Sequence, residues 1–201
     1  MKKALFSLCL GVCLCGSLLP CSADSETQTV SLPVPEKASG KPVMQALAER
    51  HTTRVFAGDK VISDQMLSDL LWAAWGINRP DGKRTVPTGR NMQEMELYVF
   101  KADGVWRYEA ADNTLLRVAD KDLRVGQMVG APVCFVYAGS DSKFTDMHAG
   151  SMYQSASLCA ASNGLGDVVL YSPVEKLRGT FPIKDGYRIV VAQAFGWPGT
   201  K

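Results

Sequence analysis

Five consecutive positions, Arg50, His51, Thr52, Thr53 and Arg54, carry two guanidiniums, an imidazole and two hydroxyls before the chain turns apolar at Val55 and Phe56. One guanidinium satisfies a carboxylate. A phosphate monoester presents three terminal oxygens and up to two negative charges, so converging Arg, His and hydroxyl donors suit it better. Each hydrogen bond to a charged group contributes about 1.5–3 kcal/mol, so three or four would hold a phosphorylated cofactor firmly. The same residues also read as a solvated helix end, because Arg and His near a C-terminus complement the helix dipole. The heptad by itself leaves both readings open.

The elements that must position these donors follow from apolar spacing. Pro42 suits a first helical turn, and Val43, Met44 and Leu47 recur on one face up to Arg50, so the donors leave a helix C-terminus. Ser63 reads as the N-cap of a second helix; Met66, Leu67, Leu70, Leu71 and Ala74 follow at three- and four-residue intervals, and Gly76 marks the stop. MELYVF and VWRYEA flank a turn at Asp103-Gly104, which predicts an antiparallel hairpin. VCFVYAG after Pro132 is a short apolar run suited to a buried strand. DVVLY and YRIVVAQAF supply two more strands, with a helical piece near Val174–Leu177 between them. Thr145–Ser162 reads as a helix rich in Ala, Ser and Gly, closed by Asn163-Gly164. Helices, hairpin strands, a helix and further strands, in that order, make an α+β chain.

Other chemistries find less support. Asp146 and His148 offer two ligand types, but two side chains do not complete a metal site, so no metal is expected. Gly164-Leu165-Gly166 is a fragment of a dinucleotide pattern and reads as a helix cap. Trp72 and Trp75 fall in the apolar stretch of the second helix and read as core. No nucleophile elbow or Ser-His-Asp order supports a hydrolase.

Residues 1–23, MKKALFSLCLGVCLCGSLLPCSA, place two lysines before an uncharged apolar run and predict a secretory signal peptide cleaved after Ala23. The second reading is a lipoprotein anchored at Cys21, which Pro20 immediately before it disfavours. Either way the working part is expected outside the cytoplasm, periplasmic or secreted. Residues 24–41, rich in Pro, Ser, Thr and Lys, read as an extended leader, and residues 42–201 as one domain. Losing Lys2 and Lys3 takes the 22 basic residues down to parity with the 20 acidic ones, so nothing predicts nucleic acid as a partner. Cys134 and Cys159 could pair in an oxidising compartment, but both lie in apolar runs and read as small buried hydrophobes.

RHTTRVF resembles the Arg-His/Arg-Ser-x-Arg/Lys-x-Phe segment near the start of FMN-dependent nitroreductase-family proteins. PTGRNMQ, Pro87–Gln93, resembles that family's Pro-Ser-x-x-Asn-x-Gln loop, and the intervening spacing is similar to that of compact members. GSMYQ, Gly150–Gln154, on the small-residue helix that runs into Gly164-Leu165-Gly166, is a third match. Together they cover the chain from about Arg50 to Gly196.

The resemblance implies a nitroreductase-like fold, α+β with a mainly antiparallel central sheet flanked by helices, in a homodimer binding FMN near the subunit interface. It implies that Arg50, His51, Thr52 and Arg54 hold the flavin phosphate and part of the ribityl chain, Thr52 replacing the usual serine. Pro87, Thr88, Gly89 and Asn91 would approach the flavin, commonly from the other subunit; Gly89 stands where a larger small residue is often found. Tyr171 and Ser172 fall where a backbone amide faces the flavin N5 edge. The family's basic pair after the last strand has no counterpart in FGWPGTK beyond Lys201.

The implied activity is oxidoreduction through flavin N5, to or from a conjugated acceptor such as a nitroaromatic or a quinone, by a ping-pong mechanism with no obligatory side-chain acid or base. Export leaves the electron donor open between NADH, NADPH and a non-nicotinamide reductant. Gly150, Ser151, Ser155, Ala156, Ala160 and Ala161 would let a second subunit or a planar ring come close, or serve close packing within one subunit. The alternatives are a non-catalytic binder of flavin or another small planar ligand, and a cofactor-free interaction protein on the same fold.

Overall fold

Along β2 (Met95–Lys101), Met95, Leu97 and Val99 enter one apolar cluster while Tyr98 and Phe100 enter a second, so the strand is buried on both faces. In this computed structural model, which describes residues 28–200, the same alternation runs along β5 (Val133–Ser140). Val133, Phe135 and Tyr137 face the first cluster, and Cys134, Val136 and Ala138 the second. Two covered faces explain why VCFVYAG is apolar at nearly every position rather than at alternate ones. The predicted signal peptide at 1–23, the alternative anchor at Cys21, and Lys201 lie outside the described residues.

Among the described residues the sheet has seven strands in the order β1-β4-β3-β2-β5-β7-β6, and every pairing within it is antiparallel. The hairpin predicted at Asp103-Gly104 joins β2 to β3 (Gly104–Glu109), with Lys101 opposite Gly104. β6 (Gly166–Leu170) forms one edge beside β7 (Tyr187–Gly196). A register shift opposite Tyr137 and Ala138 gives β7 one extra residue, and Val190 and Val191 both enter the first cluster.

Residues 29–31 of the proposed leader form β1, which pairs with β4 (Thr114–Ala119) at the opposite edge. The Pro33 carbonyl then accepts from Ser68 Oγ at 2.6 Å and Asn113 Nδ2 at 2.7 Å. Neither β1 nor β4 is evident from spacing, because β1 is exposed at all three positions and β4 is half-buried at nearly every one, so neither alternates cleanly.

Helices α1 (Val43–Glu49), α2 (Asp64–Trp75) and α3 (Thr145–Ser162) pack together, α2 and α3 covering the first face of the sheet. α4 (Val174–Leu177) and Phe181 cover the second. Ser63 caps α2 as expected, its Oγ accepting from Met66 N at 3.2 Å. Trp75 is core, and Trp72 is half-buried with its indole N–H on the Ile77 carbonyl. In α3, Ala149, Met152, Ala156 and Ala160 recur at three- and four-residue intervals and face the sheet, so part of the small-residue pattern serves close packing within the chain. Gly150, Ser151, Ser155 and Ala161 remain partly exposed. The apolar face of α1 points away from the core: Val43, Met44 and Leu47 are 61%, 73% and 46% exposed, and only Ala46 is buried. Cys134 and Cys159 are both free and stand on opposite sides of the sheet.

Candidate functional site

Arg50 closes α1: its N–H still bonds the Ala46 carbonyl at 2.9 Å, but its φ of −59° and ψ of 123° leave the helix. The next residues run extended beside the start of β6. Thr52 bridges Asp167 in parallel sense, and Thr53 N–H donates to the Asp167 carbonyl at 2.8 Å. On the other side the end of the chain runs back along the segment, Ala57 N–H bonding the Trp197 carbonyl and Gly199 N–H the Val55 carbonyl, both at 2.9 Å. Held between these neighbours, Thr53 turns inward, while His51, Thr52 and Arg54 are exposed and Arg50 is half-buried.

Two adjoining hollows open over this segment. One of about 350 Å³ is lined by Arg50, His51, Thr53, Glu49 and Asp167, the other, of about 370 Å³, by His51, Thr52, Thr53 and Arg54. A hollow of about 490 Å³ elsewhere is larger, and one of about 390 Å³ lies between α1, α2 and α3, so size does not single out the site. Charge does. Glu49 is paired with Lys41 and bonded by Gln45 Nε2 at 2.8 Å, and these hydrogen bonds hold its carboxyl below the usual range. Asp167 is buried, and its Oδ2 accepts from Ser157 Oγ at 2.6 Å and Gln193 Nε2 at 2.8 Å. Both carboxylates on the cleft are therefore engaged. Among the described residues, Arg50 and Arg54 form no ion pair. His51 Nδ1 meets the Glu49 carbonyl at 2.8 Å and must carry a proton to do so, so Nε2 becomes a second donor only in the imidazolium.

Spacing singled out Thr52, but the residue with an unanswered group is Thr53. Its Oγ1 is buried with no hydrogen-bond partner, a condition that costs about 1–3 kcal/mol unless a ligand answers it. Gly166 makes this placement possible, since a β-carbon there would stand 2.6 Å from Thr53 Cβ, Cγ2 and Oγ1. Gly164, at φ 76°, caps α3 as the sequence suggests, whereas Gly166 is glycine because Thr53 occupies its side-chain space. Unpaired cations, an orphaned hydroxyl and diverted carboxylates together fit an anionic phosphate.

The Pro87–Gln93 loop lies at the other end of α3. Gly89 N–H donates to His148 Nε2 at 2.7 Å. From His148 to Ala161, which lines the cleft, is thirteen residues, about 20 Å along the helix axis. One protomer thus separates the two donor groups by nearly the length of α3. Pro87 and Asn91 are exposed and Thr88 and Gly89 half-buried. Arg90, Asn91 and Gln93 all have positive φ, of 54°, 55° and 47°. A β-carbon at Gly89 would lie 3.3 Å from the Phe144 ring and 3.4 Å from His148 Nε2, so its bareness lets the loop sit close on α3. Tyr171 and Ser172 follow β6 and are exposed, Tyr171 at 72%; four strand residues put Tyr171 about 13 Å beyond Asp167. Among the described residues no group of three or more His, Cys, Asp or Glu could hold a metal.

Comparison with known proteins agrees with this architecture. Residues 47–197 match the model of the nitroreductase family. A protein of Methanocaldococcus jannaschii named as a nitroreductase is 25% identical over 169 residues, 71% of this chain and 83% of its own length. A solved structure from Ralstonia eutropha, also named as a nitroreductase, is 29% identical with a TM-score of 0.78 and covers 86% of this chain and 90% of that one. One from Desulfovibrio desulfuricans, solved in complex with FMN, shares the fold at 22% identity and a TM-score of 0.58, covering 81% of this chain and 89% of that one. The chain belongs to the nitroreductase family, and with it to the oxidoreductases.

Proposed function

We propose that this chain is an FMN-dependent oxidoreductase working as a homodimer, with the flavin phosphate seated among Arg50, His51, Thr52 and Arg54. The observation that carries this reading is the charge arrangement of the cleft. Its two carboxylates are engaged elsewhere, while among the described residues Arg50 and Arg54 form no ion pair and the buried Thr53 hydroxyl has no partner. Arg50 and Arg54 neutralise the phosphate, and Thr53 adds a donor from the floor of the cleft.

When bound, FMN supplies hydride transfer at N5 to or from a conjugated acceptor such as a nitroaromatic or a quinone, in alternating half-reactions. The chain binds and orients. Thr53 and Asp167 hold the phosphate segment against β6; Pro87, Thr88, Gly89 and Asn91 approach the ring system, and Tyr171 and Ser172 approach its N5 edge. A second protomer bringing its Pro87–Asn91 loop to the cleft of the first would supply both donor groups to one cofactor. The roughly 20 Å between them within one chain supports this arrangement. So does the exposed Val43, Met44 and Leu47 face of α1, immediately before Arg50, which a second copy would cover.

The reading includes export by the segment at residues 1–23, which removes the enzyme from the cytoplasmic nicotinamide pool. Mass spectrometry of the exported protein, beginning at Asp24, tests that part.

The central test is FMN titration of the purified protein. One FMN per subunit is expected, and Arg50→Ala with Arg54→Ala should weaken binding by tenfold or more, since each lost charged hydrogen bond removes about 1.5–3 kcal/mol. Full affinity in the double variant overturns the phosphate assignment. Light scattering should give twice the monomer mass. Anaerobic mixing with NADH, NADPH and artificial reductants, followed by a quinone or nitroaromatic, identifies the two half-reactions by flavin bleaching and recovery.

A further inference from the structure

The cleft and the loop leave the buried His148 without a role. His148 lies on the first turn of α3, 3% exposed, with its ring stacked on Phe144 at 6.0 Å and 22°. Its two nitrogens face the two ends of the Pro87–Gln93 loop. Nε2 accepts from Gly89 N–H at 2.7 Å; Nδ1 stands 3.4 Å from an oxygen of Glu94, the residue that ends the loop and precedes β2. The Nδ1 contact is a loose charge–dipole approach without hydrogen-bond alignment. Glu94 is 7% exposed and is fixed independently, its Oε1 accepting from Ser142 Oγ at 2.6 Å and its carbonyl from Ser140 N–H at 3.1 Å.

This arrangement dictates the tautomer. A nitrogen that accepts from a backbone N–H carries no proton, so the proton of the neutral ring is on Nδ1, facing the Glu94 carboxylate. The loop it clasps needs holding. Arg90, Asn91 and Gln93 stand in the left-handed region, where side-chain-bearing residues are disfavoured and persist only when their surroundings over-determine them. Arg84 Nε bonds Gln93 Oε1 at 2.8 Å, securing the far half of the loop. The near half, where Pro87, Thr88 and Gly89 lie, is held from α3 through His148.

We propose that His148 is a positioning residue: as the Nδ1–H tautomer, with Nδ1–H toward the Glu94 carboxylate, it accepts from Gly89 N–H and fixes the Pro87–Asn91 loop in the shape that meets the flavin. The part of this concerning flavin rests on the proposed function; the clasp itself does not.

The two are tested separately in the full mature protein. In uniformly ¹⁵N-labelled wild type, His148 Nε2 should appear unprotonated, with a coupling across the hydrogen bond to the Gly89 nitrogen. A protonated Nε2 overturns the clasp. His148→Gln places an amide oxygen near the position of Nε2, whereas His148→Asn reaches only as far as Nδ1. Gly89 amide exchange should quicken at least tenfold in His148→Asn and stay within threefold of wild type in His148→Gln. FMN dissociation constants should follow the same order. Equal exchange in both variants overturns the clasp whatever happens to FMN. An intact clasp with identical FMN affinity in both variants overturns its role toward the cofactor, and wild type that binds no FMN overturns that role together with the proposed function.

Discussion

Thr53 donates its backbone N–H to the Asp167 carbonyl at 2.8 Å while the Asp167 carboxylate points away into the core, to Ser157 and Gln193. One residue thus hangs the donor segment on β6 and withdraws its own negative charge from the cleft. Among the described residues, the cations beside it, Arg50 and Arg54, form no ion pair.

The unanswered Thr53 hydroxyl should make stability and binding respond in opposite directions. Thr53→Val keeps the shape and removes the buried unsatisfied group, so the ligand-free protein should gain about 1 kcal/mol in urea unfolding. FMN affinity should fall about tenfold, the loss of one charged hydrogen bond. A variant both less stable and unchanged in binding would contradict this reading of the cleft floor.

Gly166→Ala forces a β-carbon against Thr53 at 2.6 Å, and a branched side chain held by backbone hydrogen bonds cannot swing aside. Overpacking of this kind costs about 1–3 kcal/mol. Gly130→Ala is the control, since a β-carbon there meets nothing within 4 Å, and it should stay within about 0.5 kcal/mol of wild type. Chemical denaturation of the two variants side by side decides the point.

Behind the cleft, Tyr137 OH donates to Gln193 Oε1 at 2.5 Å, and Gln193 Nε2 reaches Asp167 Oδ2, Ser157 Oγ and the Tyr153 carbonyl. Tyr137→Phe leaves one acceptor unanswered and should cost about 1–3 kcal/mol. Gln193→Leu takes a donor from a buried carboxylate as well and should cost more. Because the two residues share a bond, the double variant should lose less than the two single losses combined, which a double-mutant cycle measures directly.

Alkaline pH should unfold the protein early. Burial pushes the Cys134 and Cys159 thiols up to about 12 from 9.0, the Asp69 charge adding to the shift at Cys159, and burial likewise pushes Tyr108 up to about 12 from 10.0. Above about pH 9 the unfolded chain releases these protons while the folded chain keeps them. The unfolded state then binds fewer protons, so stability falls as pH rises from about 9 toward 12. Below that window these groups contribute no pH dependence. Urea midpoints should be level from about pH 7 to 8.5 with respect to them and decline beyond.

Much of the fold is legible in local pattern. The α2 cap at Ser63, the hairpin at Asp103-Gly104, the two-sided apolar run of β5 and the span of α3 all depend on neighbours a few residues away, and the structure has them where spacing predicts. The donor cluster at residues 50–54 was also plain, because its residue types announce their chemistry without reference to the rest of the chain. The apolar face of α1 was legible as a pattern but not as a direction: Val43, Met44 and Leu47 point outward.

What distance in the chain conceals, only the tertiary structure decided. Which threonine turns inward depends on Asp167 and Gly166, more than a hundred residues away. The role of His148 depends on Gly89 and Glu94, which lie 59 residues or nearly as far from it in sequence. The edge strand β1 and its neighbour β4 take their conformation from hydrogen bonds to partners, not from their own alternation. By itself the sequence determined composition, periodicity and caps, because those are set by short-range sterics and hydrogen bonding. Packing brought distant residues within bonding distance, and burial decided which polar groups are answered within the chain and which, like the Thr53 hydroxyl, are not.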